Sequence, residues 1–309
     1  VTPMMTLAEY RRTASRLADF LPWVALVCQG AVLNKDGSFQ RTAKFRGPDL
    51  DSAVAAELVA VAGRLNNAFR RLGSGWAIFV EAQRHEASTY PVSRFPDPAS
   101  ALLDAERKAA FEEADAHYIS SYFLTFAFLP PAEEAARTET WLYEGRDRTG
   151  VDPHEILRGF IDRTDRVLAL LDGFMPECAW LDDSETLTYL HSTVSTNRHR
   201  VRVPETPIYL DALLADQPLT GGLEPRLGNA HLRILTIVGF PTATTPGILD
   251  DLNRLAFPYR WSTRAILLDK TDATRLLTKI RRQWFAKRKS IGAIIKEVMT
   301  NEQSVLLDS

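Results

Sequence analysis

Val54 to Ala82 reads VAAELVAVAGRLNNAFRRLGSGWAIFVEA, and its two halves obey different periods. Val54, Leu58, Val61, Leu65, Phe69 and Leu72 recur at steps of four and three, which aligns them on one face of an α-helix. Gly73 stops that helix, and Trp76 to Ala82 is an apolar run of the length of a buried strand. Upstream, Trp23 to Leu33 is apolar and β-prone. Asn34-Lys35-Asp36-Gly37 then supplies a hairpin turn, because Asp-Gly accommodates the positive φ that such turns require. Phe39, Ala43 and Phe45 alternate with Gln40, Thr42 and Lys44, the pattern of a return strand with one face in the core. Arg41 breaks that phase and is expected at an edge. Asp51 or Ser52 is expected to cap the helix.

Tyr90 to Pro98 holds three prolines and must be extended or looped. Ala99 to His117 reads as a polar helix, Tyr122 to Leu129 as an aromatic strand, and Ala132 to Asp152 as an irregular arm. Pro153 sits where helices begin, and Ile156, Phe160, Val167, Leu170, Leu171 and Phe174 give the next helix its face. Ser184 to Thr196 is expected to be helical with Asp183 or Ser184 as cap, and Asn197 to Pro207 is a basic, Pro-flanked connector. Leu232 to Phe240 reads as a buried strand, Ile248 to Leu255 as a short helix, and Ala265 to Leu268 as another buried strand. A long helix capped by Thr271 or Asp272 follows.

Strand, helix, strand, helix thus occurs at Ser38–His117 and again at Leu232–Thr300. The fold class expected is α+β: two related units in which strands bracket a helix and antiparallel sheets are covered by helices. The boundary is placed near Asn197 to Pro207, giving regions 1–200 and 201–309.

The chain has 309 residues, 25% charged and 45% apolar, with a net charge of −2. That balance argues against wholesale nucleic-acid binding, so any basic function must be local. Cys28 and Cys178 lie far apart in apolar contexts, where two buried thiols are favoured over a structural disulfide. Val1 to Arg12 has no apolar core of a signal peptide, and no run is long enough to span a bilayer, so a cytoplasmic protein is expected.

Known chemical motifs are missing. Neither G-x-x-x-x-G-K-[S/T] nor G-x-G-x-x-G occurs, so this chain alone is not expected to hydrolyse a nucleotide. His85, His117, His154, His191, His199 and His231 are scattered without metal-ligand spacing, and no nucleophile elbow is present. Asp182-Asp183 and Asp250-Asp251 open predicted helices, where acids face the positive end of the helix dipole. No catalytic, cofactor-binding or metal-ligating residue is therefore assigned, and an enzyme would need an unrecognised site.

One stretch remains. Leu277, Ile280, Trp284, Ile291, Ile295 and Val298 form an apolar stripe on the last helix. Lys279, Arg281, Arg282, Lys287, Arg288 and Lys289 crowd the opposite face. These cations are either a solvated face or a docking surface for an acidic partner or nucleic acid, with Phe285 as the interface aromatic and Trp284 in the core.

Three runs carry a family resemblance: Leu33-Asn34-Lys35-Asp36-Gly37-Ser38-Phe39-Gln40-Arg41, Phe45-Arg46-Gly47-Pro48-Asp49-Leu50-Asp51, and Leu65-Asn66-Asn67 with Leu72-Gly73-Ser74-Gly75-Trp76. They resemble the N-terminal region of the TrbE proteins, the conjugative-transfer branch of the VirB/TrbE/CagE type IV secretion ATPases. Asn301-Glu302-Gln303 fits the same pattern. The resemblance implies an α+β region preceding a RecA-like motor that binds ATP and Mg. It also implies a homo-oligomer, peripheral at the inner membrane, whose partners are channel components and the motor domain. This sequence lacks the motor's motifs, so no catalytic residue carries over, and a fragment or truncated product is expected. The rival reading is a free-standing nucleic-acid-binding module using residues 279–289.

Overall fold

The computed structural model describes residues 16–49, 52–87, 90–113, 117–131, 152–206, 208–237, 239, 243–245 and 248–285. Ten strands appear among them: β1 (Trp23–Cys28), β2 (Ala31–Asn34), β3 (Phe39–Arg46), β4 (Trp76–Glu86), β5 (Tyr118–Phe128), β6 (Glu177–Trp180), β7 (Leu219–Thr220), β8 (Arg226–Leu227), β9 (Ala230–His231) and β10 (Tyr259–Ile266). The helices are α1 (Leu17–Phe20), α2 (Ala55–Phe69), α3 (Pro98–Glu113), α4 (Pro153–Asp172), α5 (Asp183–Val194), α6 (Leu210–Leu214) and a last one, α7, over 270–285. A 3₁₀ turn covers Asp250–Arg254.

The main sheet is antiparallel, in the order β1-β2-β3-β5-β4-β10. β5 pairs with β3 on one side and β4 on the other, so β3 and β4 run parallel with α2 as their crossover. This is a split β-α-β unit, closed by β5 in the middle. The opposite edge of β3 is shared: β2 takes residues 39–41 and β6 takes residues 43–46.

Alternation decides what each face buries. Phe39, Ala43, Trp76, Ile78, Leu124 and Phe126 point to one side, where Ala68 and Leu72 of the α2 region and Ile156, Phe160, Val167 and Leu171 of α4 close the core. Phe160 stacks between Phe39 and Trp76 at centroid distances of 5.8 and 5.6 Å. Trp23, Val32, Leu181, Leu187, Leu190, Leu210 and Leu214 form a second core on the other side, under α5 and α6. α4 begins as its proline indicates, with Asp152 accepting from the backbone N–H of His154.

Several expectations are corrected. The Trp23–Leu33 run is a hairpin rather than one strand, because Gly30 adopts φ +68° and reverses the chain. Arg41 lies in a central strand: its guanidinium pairs with Asp165 at 2.7 Å and stacks on Trp180 at 4.1 Å. Val54, not Ser52, occupies the cap of α2, with Glu57 accepting from its N–H. Asp182 caps α5, one residue before the expected pair. β6 is an unanticipated strand, too short for periodicity to reveal.

The second half departs most. Residues 232–237 have no strand, and Ile234, Leu235 and Ile237 are exposed. β10 is an exposed edge strand rather than a buried one, and it completes the sheet built by the first half through β4. Leu227 of the small β7-β8-β9 sheet likewise joins the core containing Trp23 and Val32. Both contacts cross the boundary expected near residue 200. The arm at 132–151 and residues 286–309 lie outside the described residues.

Candidate functional site

The second face of β4 carries Ala77, Phe79, Glu81, Gln83 and His85 in alternation, so polar side chains enter where an apolar strand would bury more core. Glu81 and Gln83 are almost wholly buried. Register sets them beside Phe123 and Ser121 of β5, and beside Ser262 and Arg260 of β10. Arg260 neutralises Glu81 at 2.5 Å and also donates to the carbonyl of Thr193. Gln83 donates to Glu81 at 2.6 Å, and the Tyr189 hydroxyl lies 3.4 Å from its other oxygen. Burial first, and Glu81 second, push the Tyr189 phenol up to about 12, so it stays a protonated donor.

α5 and the segment after it roof this polar floor. The chain leaves α5 at Ser195 and doubles back along it, so that Ser184 Oγ donates to the Val201 carbonyl and Val201 N–H donates to Thr188 Oγ1. That reversal brings the rings of His191 and His199 within 4.5 Å, although eight residues separate them. Arg198 reaches down to donate to Gln83 Oε1 at 3.1 Å. The result is a cleft of about 600 Å³ bordered by Lys44, His85, Phe123, Tyr189, Arg198 and Arg200. Burial, and then the Arg198 charge, hold His85 below the ordinary imidazole range.

Asp216 fastens the roof from behind. It accepts from Ser195 at 3.0 Å and Asn197 at 2.8 Å, and lies 3.1 Å from His191 Nε2. Burial disfavours its charge, but the hydrogen bonds from Asn197, Ser195 and His191 outweigh this and leave its acidity below the usual carboxylate range. A carboxylate depressed on folding stabilises the fold fully above its unfolded value and loses that contribution as pH falls through the folded one. Urea titrations of wild type and Asp216→Asn are therefore expected to differ at neutral pH and converge as pH drops below about 4.

The cysteines offer no nucleophile here. Both are free, and burial raises Cys178 to about 11. Among the described residues no cluster of histidine, cysteine and acidic side chains has metal-binding geometry. No helix among them is long and apolar enough to cross a membrane.

The terminal helix over 270–285 is rooted at its start. Asp269, rather than Thr271 or Asp272, accepts from the N–H of Asp272 as its cap. Ser74, in the α2–β4 turn, donates to Asp272 at 2.5 Å and accepts from Asp269 N–H. Beyond that anchor the helix projects with its apolar stripe open. Leu277 and Trp284 are 66% and 73% exposed, so Trp284 is not a core residue. Lys279, Arg281, Arg282 and Phe285 are exposed on the same helix, with Arg281 over the Phe285 ring at 5.5 Å. Lys287, Arg288 and Lys289 lie outside the described residues.

The cleft was not legible as a site. Glu81 to Glu86 reads as the polar exit of a strand, whereas β4 continues through it. The available signal was the i, i+2 spacing of Glu81, Gln83 and His85, together with the Arg198-His199-Arg200 run.

A split β-α-β sheet with helices on both faces, a polar cleft and a projecting apolar-cationic helix define an α+β domain in which no P-loop is assignable. Residues 30–136 match the family model described as Type IV secretion system ATPase VirB4/TrbE, N-terminal domain. The conjugal transfer protein TrbE of Rhizobium radiobacter is 31% identical across 92% of this chain and 37% of its own length. A probable conjugal transfer protein TrbE of Sinorhizobium fredii (strain NBRC 101917 / NGR234) is 38% identical, across 44% of this chain and 91% of its length. The type IV secretion system protein virB4 of Brucella suis biovar 1 (strain 1330) is 24% identical across 88% of this chain and 35% of that protein. The chain belongs to the VirB4/TrbE family of type IV secretion ATPases. It spans 37% of the length of the Rhizobium radiobacter relative.

Proposed function

We propose that this chain is the non-catalytic N-terminal region of a TrbE-like transfer ATPase, and that it docks the motor to neighbouring subunits and to inner-membrane channel components. The observation that carries this reading is the helix over 270–285. Leu277, Ile280, Trp284 and Phe285 expose apolar surface beside Lys279, Arg281 and Arg282 on an element held only at its base. Exposed apolar residues of this size in one segment mark a surface that another polypeptide covers. Ile234, Leu235 and Ile237 extend the same property along the second half of the chain. In this reading the covering polypeptide is the remainder of the longer protein, with ATP and Mg bound there, or an adjacent subunit.

Two measurements test it. The 309-residue chain is expected to release no phosphate from Mg-ATP above the protein-free rate; Mg-dependent turnover would end the non-catalytic reading. In the full-length protein, Leu277→Asp with Trp284→Asp is expected to lower conjugal transfer by about tenfold or more, equivalent to losing about 1.4 kcal/mol at a docking contact. Unchanged transfer would overturn the docking role of the helix. If instead the chain retains DNA in a salt-sensitive manner, and Arg281→Glu with Arg282→Glu abolishes this, the nucleic-acid reading replaces docking.

A further inference from the structure

The cleft between β4, β5 and α5 is a feature that docking does not use, and its charges are unbalanced. Glu81 and Arg260 cancel each other in the floor. Of the groups bordering the space, Lys44, Arg198 and Arg200 are cationic and Glu185 is the carboxylate, which leaves two positive charges in excess. Glu185 is itself turned to the Asp182 N–H at the start of α5. Neither Arg198 nor Arg200 has a carboxylate within ion-pair distance among the described residues; their partners are Gln83 and the Ser184 hydroxyl. Lys44 meets Glu177 only at 3.6 Å. His85 Nδ1 is buried and has no hydrogen-bond partner. Arg198 is held below its ordinary range by burial and then by the neighbouring Arg260 charge, so the cations repel within the site.

We infer that this cleft binds a small organic phosphate, with Arg198, Arg200 and Lys44 on the phosphate and the Phe123–Tyr189 pair against the ligand body. The charge excess selects the ligand class. A phosphate monoester carries about −1.5 to −2 at neutral pH, matching two uncompensated cations, whereas a carboxylate neutralises one. Guanidinium groups fit phosphate oxygens in paired hydrogen bonds. The volume far exceeds a bare ion and falls in the range of small-ligand pockets. Phe123 and Tyr189 stand with ring centroids 4.5 Å apart and give the wall an aromatic surface for a planar or apolar body. The inference goes beyond docking and does not depend on it.

The test uses phenyl phosphate as probe, with benzoate as the carboxylate comparison, on the 309-residue chain. Isothermal titration is expected to show saturable phenyl phosphate binding, weakened about tenfold or more in Arg198→Gln/Arg200→Gln. Arg281→Gln/Arg282→Gln, which removes the same charge from the terminal helix, should bind as wild type does. Benzoate should bind at least about tenfold more weakly than phenyl phosphate. In NMR titrations the His85 ring is expected to take up its proton at higher pH with phenyl phosphate present, because the added anion offsets the Arg198 charge; a merely structural role for Arg198 would not produce that shift. No saturable binding, equal weakening by both variant pairs, equal affinity for benzoate, or an unmoved His85 titration would each overturn the inference. Far-ultraviolet circular dichroism of the arginine variants must match wild type; if it does not, Arg198→Lys/Arg200→Lys replaces them, with weakened binding supporting the inference and unchanged binding overturning it.

Discussion

Arg260→Ala is expected to lower the unfolding free energy by about 3 kcal/mol, the lower end of the range for breaking a buried ion pair by removing one partner. The reason lies with the survivor. Glu81 is 2% exposed in the floor of the cleft, and without Arg260 it keeps only Gln83 and the distant Tyr189 hydroxyl as donors. The Arg260 side chain is itself partly open to solvent, at 41%, so water entering its place relieves some of the loss. That is why the lower end applies. Adding Glu81→Gln to Arg260→Ala removes the stranded charge and is expected to restore much of the stability, so the two changes should be strongly non-additive in urea denaturation. If the double variant is as unstable as the sum of the single ones, the pair is not the unit that the geometry indicates. The same substitution should also loosen the end of α5, because Arg260 donates to the Thr193 carbonyl there.

Elements with a strong period were legible, and those decided by distant contacts were not. The Val54–Leu72 stripe and the Ile156–Leu171 stripe each became a helix on the same face of the sheet. Tyr122–Leu129 became β5, which extends upstream to Tyr118 because Ser120 and Ser121 pair with Arg84 and Gln83 regardless of their polarity. Hydrogen-bonded pairing, not hydropathy, sets that strand's length. Leu232–Phe240 failed in the opposite direction. Its composition is that of a strand, but Leu232 to Ile237 has no sheet edge to join and its apolar groups remain exposed. β-propensity describes fitness for a pleated, half-buried surface and cannot supply one.

The site divides in the same way. The cationic helix is visible from composition alone, since six basic residues fall within Lys279 to Lys289. The cleft is not, because its members come from β3, β4, β5, α5 and the segment after α5, and none neighbours the others in sequence in a recognised spacing. His191 and His199 show the limit. Eight residues is the wrong interval for one helix face, and only the reversal at Ser195 brings the rings together. A short-range motif search measures spacing along one element, whereas this cleft is built by strand register and a chain reversal.

Gly30→Val should be the most damaging single change in the first hairpin, at about 2–5 kcal/mol, and it tests the link between that hairpin and the cleft roof. Gln29 and Gly30 form the two-residue loop between β1 and β2, with Gly30 at φ +68°. A β-branched residue in that left-handed conformation costs about 1–2 kcal/mol by itself. The surroundings add more, because a Cβ built on Gly30 would fall 2.4 Å from the Leu181 carbonyl oxygen, and a backbone atom has no free rotation by which to yield. The Gly30 N–H also donates to Asp183 Oδ1 at 2.7 Å, at the start of α5. Pushing the turn away from Leu181 breaks that bond and frees the end of the helix that carries Tyr189 and His191 over the polar floor. Gly63→Ala supplies the contrast: no atom lies within 4 Å of its Cβ position on α2, and replacing a helical glycine there should stabilise by up to about 1 kcal/mol. Urea midpoints that move in opposite directions for the two substitutions would confirm the docked turn; a Gly30→Val midpoint at the wild-type value would show that the hairpin and α5 are not held together through it.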